Sequence, residues 1–263
     1  MSGGDSVLFA QGNGVLTITL NEPDNRNALT PGIEHGLLEG IRIAQDDTVR
    51  SVVLTANGSA FCAGGNMSEM AGNNDLTLPQ QRARTRALPD QLLIPLAELE
   101  KPVIAGINGW VVGAGMGIAL AADFRIASTK AKFLLAFGRV GLVPDLATIW
   151  SLSRLVGYRS TRDLLFGSDP IDAQTAQAMG LVDEVVEPEA LAGRLAERAA
   201  ELAQGPTLAL GLAKRLLLDS YSLDLAGFLQ RETSLQGVLL NSQDYAEGRL
   251  AFREKRDPKF NGR

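Results

Sequence analysis

Two residue types on which much enzyme chemistry depends are almost missing from this chain. Its 263 residues include one cysteine, Cys62, and one histidine, His35. A single cysteine excludes an internal disulfide and is compatible with a reducing compartment. With one residue of each type, histidine-based triads and the common zinc sites are excluded too, so no metal is expected. Cys62 has no histidine near it in sequence and reads as a small buried residue beside a turn. His35, among Gly32, Glu34 and Gly36 near a helix start, reads as solvent-exposed.

Other absences narrow the class further. A net charge of -5 gives no bias towards polyanions, so nucleic acid is not an expected partner. The most apolar run, Val103 to Leu120, is broken by Asn108 and several glycines and falls short of the ~20 clean apolar residues of a membrane span. Met1 to Asp5 lacks a basic-then-apolar signal pattern, and the expected location is cytoplasmic. There is no internal repeat and no low-complexity segment. What remains is an ordinary globular composition, 45% apolar, long enough for one large domain or a domain with a smaller appendage.

The informative stretch runs from Lys101 to Asp145. An apolar run, Pro102 to Ile107, ends at Asn108-Gly109. It is followed by Gly113-Ala114-Gly115-Met116-Gly117 and then by Ile118 to Ala122, which reads as a strand, a glycine-rich turn and a helix start. Small residues let such a turn bring its backbone N–H groups close to a ligand, and the first amides of a helix have no intrahelical acceptor. Taken alone, the turn fits tight strand–helix packing, a phosphate cradle or an oxyanion site. A second small-residue bend, Ser59 to Met70, follows another strand-like run at Val52 to Thr55. Two strand ends, each followed by such a bend, suit a two-donor oxyanion hole.

Phe61-Cys62-Ala63-Gly64-Gly65, Lys101-Pro102-Val103-Ile104-Ala105, Asn108-Gly109, the Gly113 to Gly115 turn and Gly141-Leu142-Val143-Pro144-Asp145 together resemble the enoyl-CoA hydratase/isomerase (crotonase) superfamily. The resemblance extends from Val15 to the last residues. It implies an α/β fold, the crotonase-like ββα superhelix, with a catalytic core over residues 1–188 and a C-terminal helical trimerisation region over 189–263. It also implies an acyl-CoA substrate, no cofactor beyond the coenzyme A of that thioester, and a homotrimer, often paired into a hexamer.

Carried over position by position, the resemblance puts the oxyanion donors on the N–H groups of Gly65 and Ala114. It implies CoA contacts at Arg26, Ala28, Ala63 and Met67, with Phe252 and Lys255 reaching in from a neighbouring subunit. The two glutamates of a hydratase would fall at Gly117 and Phe137, and neither position here can hold a proton. Asn66 stands where the family usually has aspartate and is given no catalytic role. The remaining carboxylate in the neighbourhood is Asp145, as in the phenylacetate-pathway isomerase type. One base suffices for a 1,3-proton shift, because it can return the proton it took. Asp145 also fits an N-cap for the following helix. Phe137 would make the surroundings more apolar and raise the carboxyl pKa, and Trp110, Phe133 and Trp150 are further candidates for the pocket lining.

Along the chain, Val15 to Leu20 reads as a strand, Thr30-Pro31 as the start of a helix carrying Ile33, Leu37, Leu38, Ile41 and Ile43 inward, and Ser51 to Thr55 as a strand parallel to the first. Ala71 to Gln91 resembles the variable roof over the acyl pocket. A helix after Asp145 is expected to carry Leu146, Ile149, Leu152 and Leu155. Beyond Pro188 the pattern is helical, with apolar faces and little to pack on, which suggests self-association. The expected activity is a shift of a double bond in an enoyl-CoA. The alternatives are a hydratase or another crotonase-type lyase with an unusual acid/base such as Glu69, or a silent acyl-CoA-binding subunit.

Overall fold

The computed structural model describes residues 5–66, 76–167 and 169–263. Its first element is one the expectations above did not include. β1 (Val7–Gly12) pairs antiparallel with β2 (Val15–Leu20) through Asn13-Gly14, with φ of 51° and 79°. Asn-Gly is the pair that a two-residue turn with positive φ at both positions favours.

The rest of the core repeats one pattern: a strand, a short second strand that joins another sheet, then a helix. β3 (Ser51–Ala56) leads into β4 (Ala60–Cys62), β5 (Val103–Ile107) into β6 (Trp110–Val112), and β7 (Phe124–Ser128) into β8 (Lys132–Leu134). The first strand of each pair joins a six-stranded sheet of order β1-β2-β3-β5-β7-β10, completed by β10 (Glu184–Val186). The second joins a four-stranded sheet of order β4-β6-β8-β9, completed by β9 (Ile171–Asp172). β2 pairs parallel with β3, as the strand–helix–strand spacing predicts. This is the α/β crotonase fold that the resemblance implied.

Helix Pro31–Ala44 begins as its sequence requires, with the Thr30 hydroxyl accepting from the Ile33 N–H at 3.2 Å and Pro31 in the first turn. It buries Ile33, Leu37, Ile41 and Ala44 against the sheet. The largest core cluster joins strands of both sheets to the helices and includes Leu16, Leu54, Phe61, Ile107, Met116, Ile118 and Phe133. Helix Pro188–Ala203, with which the expected helical region begins, was given little to pack on. The six-stranded sheet supplies it: Leu191, Leu195 and Ala199 share a second buried cluster with Val53, Ile104 and Ile126. Each such buried leucine contributes about 2 kcal/mol. Helix Leu225–Leu239, further on, buries none of its residues.

The segment after Asp145 also differs from expectation. The helix starts only at Thr148 and ends at Leu155; Leu146 lies in the turn before it, while Ile149 and Leu155 are exposed. Among the described residues no helix is long and apolar enough to cross a membrane.

Candidate active site

β4 and β6 are parallel neighbours, with Ala60 beside Trp110 and Cys62 beside Val111, so the bends that follow them emerge side by side. How close they come is fixed by the absence of side chains. Gly64 has φ of 85°, and a Cβ there would sit 2.6 Å from the Val112 carbonyl oxygen and 3.1 Å from the Ala114 nitrogen. Only glycine takes that conformation at that separation without displacing one bend from the other. Gly113 turns the chain with φ of 54° and ψ of -123°, which leaves Ala114 as the first residue of helix Ala114–Ala121. Among the described residues neither the Gly65 nor the Ala114 N–H donates to a backbone acceptor.

The segment Arg26 to Leu29 is tied to the first bend. Ala63 N–H donates to the Arg26 carbonyl at 3.0 Å, Leu29 N–H donates to the Gly64 carbonyl at 2.8 Å, and Leu29 bridges Gly65. Arg26, Ala28 and Ala63, three of the expected CoA contacts, are therefore together beside the first bend. The buried Asn27 holds them there. Its Nδ2 donates to the carbonyls of Asn57 and Ala60 at 2.9 and 2.8 Å, and its Oδ1 accepts from the Glu22 N–H at 2.8 Å. Arg26 and Asn27 both have positive φ, 52° and 53°, which exposes the arginine while the asparagine stays inside. Met67 and Glu69 lie outside the described residues.

Asp145 does not cap the helix that follows. The N-cap position is Ala147, with no side-chain cap, and it is the main-chain oxygen of Asp145 that accepts from Thr148 N–H at 3.0 Å. The carboxyl is left free of that duty. Asp145 is exposed as a residue in the single chain, yet the protein around its carboxyl pushes the pKa above the usual aspartate value, with a hydrogen bond from its own N–H pulling the other way. Desolvation of the charged form is the cause. Its neighbour Leu146 is buried, and a Cβ on Gly117 would collide with the Leu146 carbonyl oxygen and lie 2.5 Å from its Cβ. The position where a hydratase glutamate was expected is thus closed by the Asp145-Leu146-Ala147 turn.

The expected pocket lining is only partly assembled. Phe137 is buried, and a Cβ on Gly113 would lie 3.9 Å from its ring, which puts it at the second bend. Phe133 is buried opposite Val111, whereas Trp110 pairs with Lys132, whose Nζ stands 5.6 Å from the Trp110 ring centroid. Successive strand residues point to opposite faces, so Trp110 and Phe133 do not line one pocket. Trp150 lines a cavity of about 300 Å³ together with Gly117, Ala147, Leu93 and Lys214, which neither the bends nor Asp145 nor Phe137 borders. A larger cavity of about 590 Å³, bordered by Tyr245, Phe252 and Phe260, belongs to the C-terminal helices and not to the bends.

Phe252 and Lys255 are not brought to this chain's own bends. Phe252 lies in helix Gln243–Glu254 and Lys255 just past its end, before a tail whose Phe260 carbonyl accepts from Arg50 Nη1 at 2.9 Å, at the N-terminal end of β3. The two bends lie beyond the other end of that strand. Phe252 is 88% exposed, with nothing of its own chain over it. Cys62 is fully buried and its thiol is pushed up to about 12, so it stays protonated and unreactive.

The chain belongs to the enoyl-CoA hydratase/isomerase family, whose sequence profile matches residues 10–263. It is an enzyme of the crotonase superfamily. It is 35% identical over 258 residues to the 1,2-epoxyphenylacetyl-CoA isomerase of Escherichia coli (strain K12), with 98% of each chain covered. It is equally 35% identical over 258 residues to the 2,3-dehydroadipyl-CoA hydratase of the same organism, covering 98% of this chain and 99% of that one. The crystal structure of an enoyl-CoA hydratase/isomerase from Cupriavidus metallidurans CH34 superposes with a TM-score of 0.92 at 31% identity, covering 100% of this chain and 98% of that one.

Proposed function

We propose that the protein is an acyl-CoA isomerase that converts a 3-enoyl-CoA into the 2-enoyl-CoA. The Asp145 carboxylate removes a proton from C2 of the thioester. The electron pair passes through the carbonyl carbon onto oxygen, where the Gly65 and Ala114 N–H groups stabilise the dienolate. Asp145, now protonated, returns the proton at C4, the carbonyl re-forms and the double bond stands between C2 and C3. Neither a metal nor a redox cofactor takes part, and coenzyme A enters only as part of the substrate.

The observation that carries this reading is the closure of the Gly117 position by Leu146, with a phenylalanine at 137. A water gripped by two ionisable groups, which syn-hydration wants, finds no such pair at positions 117 and 137, whereas a proton shuttle needs one carboxyl with a raised pKa. Arg26, Ala28 and Ala63 stand where CoA would cross the mouth, with Met67 as the further contact the resemblance implies. Phe252 and Lys255 would be supplied by a second copy of the chain in a trimer or a hexamer of paired trimers, through residues 189–263.

Following thioester absorbance with 3-hexenoyl-CoA and with 2-hexenoyl-CoA tests the reading. The expected result is interconversion of the two without a hydrated product, abolished in Asp145→Asn while ester binding persists. Net hydration, an active Asp145→Asn or a wild type without turnover on any ester would each overturn it.

A further inference from the structure

One fully buried hydroxyl near the bends has a single partner. Thr148 opens helix Thr148–Leu155, and its Oγ1 donates to the main-chain oxygen of Asp145 at 2.7 Å, the same oxygen that accepts the Thr148 N–H at 3.0 Å. Between the two residues, Leu146 and Ala147 both take left-handed conformations, with φ of 45° and 54°. Neither is a residue type that adopts them readily, and such backbone persists only where its surroundings over-determine it. Leu146 is held from one side by burial against Gly117, on the helix whose first amide is Ala114's. Ala147 is exposed and is held by nothing comparable. Among the described residues no group apart from its own N–H hydrogen-bonds to the Asp145 carboxylate. Its direction is therefore set by its main chain.

We propose that Thr148 is a positioning residue, whose O–H and N–H together clasp the Asp145 carbonyl and lock the left-handed turn that aims the carboxylate at the acyl group. Leu146 fixes that turn to the oxyanion helix, so base and oxyanion donors share one rigid frame. The inference rests on the isomerase reading, because a carboxylate with no proton to move has no need of aim. Misplacing a reacting group by ~1 Å costs about 100-fold in rate.

Thr148→Val keeps the volume and the N–H but removes the hydroxyl; Thr148→Ser keeps the hydroxyl. With 3-hexenoyl-CoA as substrate and the full-length protein, Thr148→Val is expected to lower kcat by about 10- to 100-fold with KM within about twofold, and to shift the acid limb of the pH profile. Thr148→Ser should restore both kcat and the limb. A Thr148→Val enzyme with wild-type kcat and limb overturns the proposal, as does a Thr148→Ser enzyme as slow as the valine variant, since that pattern means packing alone. Should the valine variant fail to fold, Thr148→Ala against Thr148→Ser carries the same comparison. Asp145→Asn is assayed alongside: if it is inactive while Thr148→Val is unimpaired, only the positioning role falls, and if it turns over normally the isomerase reading falls and takes this inference with it.

Discussion

Ala114 can be tested at a single atom. It is the first residue of its helix, a position that tolerates proline, and Gly113 before it can take a conformation that other residues would not. Ala114→Pro removes the N–H and leaves a ring carbon in its place, so kcat is expected to fall about 100- to 1,000-fold while the melting temperature changes little. Steady-state kinetics beside a thermal melt reads both. Asp145 adds a pH dependence. A carboxyl whose native pKa is raised binds a proton that the unfolded chain has released, so stability declines as pH rises through that window, and Asp145→Asn should escape the decline. In the proposed mechanism the base form is lost as pH falls through the same raised value, so activity is expected to drop at a higher pH than an ordinary aspartate would give. Asp145 and the two bends were legible from residue type and order. The left-handed Leu146-Ala147 pair was not, because neither residue announces that conformation; it is imposed by packing against Gly117.

Among the elements, the C-terminal tail depends on a few directed bonds. Arg50 spans three of its parts, with Nε to Thr207 Oγ1 at 3.0 Å, Nη1 to the Phe260 carbonyl and Nη2 to the Gly205 carbonyl at 2.5 Å. The buried Asp244 accepts from the N–H groups of Asn261 and Gly262 at 2.7 and 2.9 Å. Arg50→Met keeps the stem and removes the fork, and is expected to cost about 2–4 kcal/mol, measured by denaturant unfolding, with the tail more open to protease than in the wild type. Strands and helices with clear periodicity, such as β2, β3 and helix Pro31–Ala44, could be read directly. The hairpin partner β1 could not, since five of its six residues lie outside the buried class and give no alternation to follow. Helix Pro188–Ala203 showed its apolar face, but not that a sheet lay beneath it, because that contact joins segments more than 100 residues apart in sequence (Leu191 against Val53).

For the whole molecule, the last helices present more apolar surface than a lone chain has use for. Phe252, at the cavity bordered by Tyr245 and Phe260, is 88% exposed, and Leu225 and Leu217 on the two preceding helices are 75% and 69% exposed. Phe252→Asp is expected to shift the sedimentation of the protein towards smaller species and to raise KM for the CoA ester; unchanged mass and unchanged KM would remove this face from assembly and substrate binding together. The ββα core was legible through the family resemblance that its motifs carry and the helical end through its apolar faces, whereas the way copies meet depends on surfaces with no periodic signature. The tail is moored by Arg50 at one end of β3, and the bends open at the other. In the proposed assembly each copy would serve two sites, its own with a carboxylate and another's with an aromatic. A copy disabled at Asp145 would still furnish its neighbour with Phe252, so an assembly mixed from intact and disabled copies would lose turnover only in proportion to the carboxylates removed.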